Sequence, residues 1–179
     1  MKSAVLVIDV QSIIFDSEPK LFEGDQVVDR INTLTGRARS QDIPVIFIQH
    51  EHPNSVIAYE SEGWQLQRNL QVEPTDKFVR KTTPDSFLRT DLESLLQQNE
   101  IEHLIVCGYA TEFCIDSTVR KAAGLGYSIE LVADAHSTHD KEHATGEQIR
   151  RHHNATLPNL TSFGVKITAV PTNQLLLED

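Results

Sequence analysis

HLIVCGYATEFCIDSTVRKAAGLGYSIELVADAHS, running from His103 to Ser137, places a helical pattern between two apolar runs. Leu104-Ile105-Val106-Cys107 and Ile129 to Ala133 are short, continuous and rich in β-branched residues, as strands buried on both faces are. The segment after Thr111 has helical spacing and carries Cys114 in its opening turn. A thiol there lies near unpaired backbone N–H groups and the positive end of the helix dipole, which favour thiolate. Cys114 is therefore the candidate nucleophile.

The same alternation continues in both directions. Ala4–Ile8 is an apolar run, followed by Val27, Val28, Ile31, Leu34 and Ala38 at helical spacing. Val45–Ile48 is a second buried strand, and Phe78-Val79 a short one. Between them, His50 to Asp76 is polar and irregular. Leu88, Leu92, Leu95 and Leu96 predict a helix, as does Lys141–Leu157, and Val165–Val170 predicts the last strand. Strands alternating with helices predict an α/β fold: a three-layer sandwich with a mostly parallel, six-stranded, Rossmann-like sheet and helices on both faces. With 179 residues the chain is expected to form a single domain, 1–179.

Composition narrows the function. A net charge of -10, with basic residues scattered among acids, argues against a nucleic-acid partner. No apolar run reaches bilayer length, so no membrane partner is expected. MKSAVLVIDVQ reads as a first strand rather than a signal peptide, and the expected compartment is the cytoplasm. Two cysteines, Cys107 and Cys114, do not make a disulfide scaffold, and Cys107 is expected to be a small core residue. No G-x-G-x-x-G follows the first strand, which argues against dinucleotide binding.

In parallel sheets, ligands bind beyond the carboxyl ends of the strands. Asp9, His50, the Gly108–Thr111 turn and Asp134 all stand at expected strand ends. Taken singly, Asp9 reads as a cap or turn residue, Lys81 as a surface lysine and Cys114 as a core thiol. Together they are a base, a cation and a nucleophile that can meet at one sheet edge. The turn before Cys114 adds backbone N–H groups suited to an oxyanion.

Asp9 in VLVIDVQ, Lys81 in FVRKTTPDSF and Cys114 in VCGYATEFCIDSTVRKAAGLGYSIELVADAHST resemble, in order and separation, the signatures of the isochorismatase-like cysteine hydrolases. The resemblance runs from about Ala4 to Val170. It implies that fold, a catalytic triad of Asp9, Lys81 and Cys114, and no cofactor. It also implies a cis peptide at Tyr109–Ala110 and an oxyanion hole from the N–H groups of Ala110 and Cys114. The implied reaction is hydrolysis of a small-molecule amide through a Cys114 thioester, in a homodimer or homotetramer. Thr111–Cys114 and Glu147–Asn154 resemble a subgroup to which streptothricin hydrolase is similar.

Nicotinamidases of this family hold a metal through an Asp-x-His pair after the second strand. Here that place reads Gln49-His50-Glu51-His52, so no metal is expected, and His50 is expected to face the substrate instead. Trp64, Phe87 and Glu112 are further candidate substrate contacts, with ordinary packing as the competing reading of the two aromatics. The His152-His153 pair is expected on a helix surface or a subunit interface. Asp134, His136 and Ser137 are expected to cap the next helix. Two other readings stay open: a vinyl-ether hydrolase using Asp9 as acid, and a non-catalytic small-molecule or redox binding module.

Overall fold

The computed structural model describes residues 1–177. Six parallel strands form one sheet: β1 (Ser3–Ile8), β2 (Val45–His50), β3 (Lys77–Lys81), β4 (His103–Tyr109), β5 (Ser128–Ser137) and β6 (Ile167–Val170). Their order is β3-β2-β1-β4-β5-β6. The expected α/β architecture is thus the one observed.

Side-chain alternation along each strand divides the core in two. Ala4, Leu6 and Ile8 of β1 point to one face, and Leu92 and Leu96 of α3 (Leu92–Gln98) cover it with Val119, Ala122 and Ala123 of α4 (Asp116–Gly124). Val5 and Val7 point to the other face, where α2 (Gly24–Arg39) packs Val27, Val28, Ile31, Leu34 and Ala38. Each buried aliphatic side chain contributes about 1.5–3 kcal/mol relative to exposure. The helical spacing in α2 is therefore the pattern of a stripe pressed onto the sheet.

Because β1 has β2 on one side and β4 on the other, the direction in which successive strands are added reverses at β1 and leaves a crevice beyond its carboxyl end. Asp9 follows β1, Lys81 ends β3 and Cys114 follows β4. Gly108 lets β1 and β4 approach closely at this point. Its φ is +120°, and a Cβ there would stand 2.0 Å from the carbonyl oxygen of Ile8.

Several boundaries differ from the sequence reading. Leu88 is exposed on a turn and α3 begins only at Leu92, whose N–H is accepted by Thr90 Oγ1 at 3.3 Å. Residues 141–145 form a turn, and α5 (Gly146–Thr156) starts after Thr145, which makes a capping box with Gln148. β6 starts at Ile167 rather than Val165.

The larger correction concerns β5, which continues to Ser137, so Asp134, His136 and Ser137 are strand residues and do not cap the next helix, α5, whose cap is Thr145. Asp134 accepts from Thr172, and Ser137 Oγ donates to the carbonyl of Phe22. Between the pairs Val106–Leu131 and Gly108–His136 the strand register shifts. This irregularity sets His136 beside the turn that carries Cys114.

Candidate active site

Asp9 leaves β1 in the left-handed region, with φ 52°. Aspartate tolerates this better than most residues, and the Asp9 N–H is anchored on the carbonyl of Ile48 at 2.8 Å. The side chain is 2 % exposed. Its Oδ2 accepts from Lys81 Nζ at 2.8 Å, while Oδ1 is buried without a hydrogen-bond partner among the described residues. An unpaired buried carboxylate oxygen is costly, and it is the kind of exception that marks a group kept free for another atom.

Lys81 is 1 % exposed. A buried ammonium is tolerable only when paired, and Nζ faces Asp9 Oδ2, His50 Nδ1 at 2.9 Å, the Thr83 carbonyl at 3.2 Å and Cys114 Sγ at 3.2 Å. It is the hub of the cluster. Burial, followed by the Lys81 charge, holds the His50 imidazole below its ordinary pKa. Neutral His50 therefore accepts at Nδ1 and carries its proton on Nε2.

Cys114 lies in a single π-helical turn, Thr111–Ile115, that precedes α4. The Ala110 carbonyl accepts from the N–H groups of Phe113 and Ile115 and is bypassed by that of Cys114. Such wide turns are frequent at functional sites. Tyr109–Ala110, just before the turn, is a cis peptide. Cys114 is 7 % exposed, and its thiol is pushed up to about 12, by burial first and then by the Asp9 charge, with Lys81 opposing. Burial and the Asp9 charge thus work against the helix position that the sequence reading relied on, and their direction is toward the thiol.

Asp9, His50 and Cys114 offer ligand atoms within 4.8 Å of one another. The donor set does not suit a metal ion, because the Lys81 ammonium already faces all three. The His52 ring is turned away, with Nδ1 2.9 Å from the Pro53 carbonyl.

The other candidates are distributed differently. Phe87 is buried in the core and stacked on Tyr127, so packing is its place rather than a pocket wall. Trp64 is half-buried, edge-to-face with Tyr59, and lines a groove of about 1160 Å³ together with Gln49, Phe78 and Arg80. The lining of this groove does not include Asp9, Lys81 or Cys114. Glu112 lies within the nucleophile turn. Its Oε1 accepts from Thr138 Oγ1 at 2.9 Å and lies 3.3 Å from Lys141 Nζ. On α5, His153 Nδ1 lies 2.8 Å from the Ile149 carbonyl, and His152 is exposed.

Gln11 escapes the sequence reading. Fully buried, it uses Nε2 and Oε1 to bond the carbonyl and N–H of His50, each at 2.9 Å, and its Nε2 also reaches the Trp64 carbonyl at 2.9 Å. It thereby fixes the backbone at His50 and ties the irregular segment to the end of β2. Its signal was the polar residue two places after Asp9 at a strand end.

Comparison with known proteins accords with this arrangement. The chain is 36 % identical over 138 residues to a streptothricin hydrolase of Streptomyces noursei, covering 76 % of this chain and 50 % of that protein. It is 28 % identical over 177 residues to nicotinamidase 3 of Arabidopsis thaliana, covering 90 % and 81 % of the two chains. The chain spans about half the length of the streptothricin hydrolases it matches. A crystal structure described as an isochorismatase family protein superposes with a TM-score of 0.87 at 35 % identity, covering 94 % of this chain and 98 % of that one. The isochorismatase domain itself matches residues 3–162, a span that contains Asp9, Lys81 and Cys114 with the sheet that gathers them, and the chain belongs to the isochorismatase family.

Proposed function

We propose that the protein is a metal-independent cysteine hydrolase that cleaves the amide C–N bond of a small molecule through a Cys114 thioester. The observation that carries this is the free Oδ1 of Asp9, buried in a cluster whose other oxygen is held by Lys81 and whose third member is a thiol.

A thiol held protonated is a poor nucleophile until a base takes its proton. Asp9 accepts that proton as the sulfur adds to the substrate carbonyl carbon. The N–H groups of Ala110 and Cys114 stabilise the oxyanion, in keeping with a Cys114 N–H that the Ala110 carbonyl bypasses. Asp9 passes the proton to the departing nitrogen, the C–N bond breaks, and the thioester remains. Asp9 then takes a proton from water as its oxygen attacks the thioester carbonyl. That proton returns to sulfur as the acid leaves. Lys81 bonds Asp9 Oδ2 and faces the sulfur while its charge develops. His50, with its Nε2–H free of Lys81, is positioned to donate to the substrate, and Glu112 to contact it from within the turn.

The names of two relatives, a streptothricin hydrolase and a nicotinamidase, support an amide-type bond as the target. A cytoplasmic location and a homo-oligomeric state are carried as part of the same reading. The test is turnover of a panel of small amides and esters by the wild type, Cys114→Ala and Asp9→Asn. Loss of hydrolysis in both variants supports the reading, and turnover retained by Cys114→Ala overturns it.

A further inference from the structure

We propose that His136 is a positioning residue for the nucleophile turn, holding Thr111 through a hydrogen-bond relay of fixed direction that starts on Asn154. The proposal rests on the reading of Cys114 as nucleophile. It concerns three side chains that the mechanism above does not use.

The direction of the relay follows from which atoms can only accept. Asn154 Nδ2 donates to the carbonyl of Ala133 at 2.8 Å. A carbonyl has no proton, so the amide NH₂ must face it, which turns Asn154 Oδ1 toward His136 Nε2 at 2.9 Å. That oxygen also only accepts, so Nε2 carries the imidazole proton. Nδ1 of the neutral ring is then a lone pair, and the Thr111 hydroxyl, 2.8 Å away, donates to it. His136 is fully buried, and burial holds its pKa down at about 4, with the Asn154 hydrogen bond and the Asp134 charge opposing and the Arg150 and His153 charges assisting. The ring is neutral across the working range.

The relay ends at a meaningful place. Thr111 is the first residue of the π turn, next to Ala110, and its carbonyl accepts from the N–H of Asp116 at the other end of the turn. A side-chain anchor at Thr111 therefore restrains the backbone that aims the N–H groups of Ala110 and Cys114. The shift in β5 register places His136 opposite Gly108, within reach. Asn154, from the Glu147–Asn154 segment of α5, makes that helix part of the support. A purely structural relay would lower stability when broken. A positioning relay should also slow acyl transfer, which needs the oxyanion donors, more than alkylation, which needs only the sulfur.

The experiment uses p-nitrophenyl acetate to acylate Cys114 and iodoacetamide to alkylate it, each followed by intact mass, in the full chain. Thr111→Val removes the donor, His136→Gln keeps a donor toward Asn154 but withdraws the acceptor from Thr111, and Thr111→Ser restores the hydroxyl. The expected result is a roughly 10- to 100-fold slower acylation in the first two, alkylation within about threefold of wild type, and recovery in Thr111→Ser. Nitrogen-15 NMR of labelled histidine in the wild type is expected to show the Nε2–H form of His136. An Nδ1–H form overturns the relay. So do equal losses in both reactions, no loss in acylation, or no recovery with serine. If the wild type is not acylated at Cys114 at all, the nucleophile reading fails instead, and the tautomer alone decides the relay.

Discussion

Lys81 and Asp9 come from strands that are not neighbours, β3 and β1, yet their charged groups meet at 2.8 Å with both side chains buried. Of the two carboxylate oxygens the ammonium bonds Oδ2, and Oδ1 has no partner among the described residues. Burying two charges costs several kcal/mol each, and their attraction offsets this only while both are present. Lys81→Met should therefore destabilise the fold by about 3–5 kcal/mol, because it strands a buried carboxylate. Chemical denaturation measures this. A loss below about 1 kcal/mol would mean that the pair is not desolvated as described.

The His50 imidazole is held below its usual range by burial and by Lys81. Its neutral form is the one that accepts from Lys81; protonation puts a second cation 2.9 Å from the ammonium. A depressed folded pKa means that the unfolded chain takes the proton first, so stability is lost as pH falls below the ordinary value near 6.5 and on through the folded pKa. Acylation of Cys114 in the folded protein should fall only as pH drops through the lowered folded pKa. In His50→Asn, whose Oδ1 can still accept from Lys81, this limb of the pH profile should disappear; its persistence would assign the limb to another group.

For Cys114 the shift has the opposite consequence. With the thiol pushed from 9.0 up to about 12 in the fold, the unfolded chain ionises first as pH rises. The stabilisation tied to this group is whole below pH 9 and declines from there toward 12. Thiolate absorbance should be lacking in the folded protein at pH 9.5 and appear on denaturation. Thiolate signal from Cys114 in the folded protein at pH 8, with Cys107 replaced, would count against the resting-thiol assignment.

Two glycines give a paired test of backbone placement. A Cβ at Gly108 meets the Ile8 carbonyl oxygen at 2.0 Å, whereas at Gly126, φ +95°, nothing among the described residues lies within 4 Å. Gly126→Ala carries backbone strain alone, about 1–3 kcal/mol. Gly108→Ala carries that strain and must also part β1 from β4, so it should cost several kcal/mol more and reduce acylation with it. Equal effects of the two substitutions on thermal unfolding would contradict the close approach.

The strands and α2 are legible in the sequence because burial on both faces leaves continuous apolar runs and burial on one leaves a helical stripe. Asp9, Lys81 and Cys114 are legible as candidates because each follows or ends such a run. What periodicity leaves hidden is pairing. The register shift in β5 that carries His136 to Gly108 depends on two backbones meeting, and Asp134, His136 and Ser137 read as cap residues because the distant partners that hold polar side chains in a strand are not visible in the sequence. Gln11 is hidden for the same reason, as its three bonds reach residues 39 and 53 positions away. The thiol's state is missed because helix position is readable from sequence and desolvation is not.

The central claim is that Cys114 forms a covalent acyl intermediate with Asp9 as its base. The direct measurement is intact-mass spectrometry of wild type, Asp9→Asn and Cys114→Ala after brief exposure to small activated amides and esters. The account predicts an acyl adduct on Cys114 in the wild type, its formation slowed by two or more orders of magnitude in Asp9→Asn, and none in Cys114→Ala. Substrate consumed equally by wild type and Cys114→Ala, with no adduct on either, would contradict it.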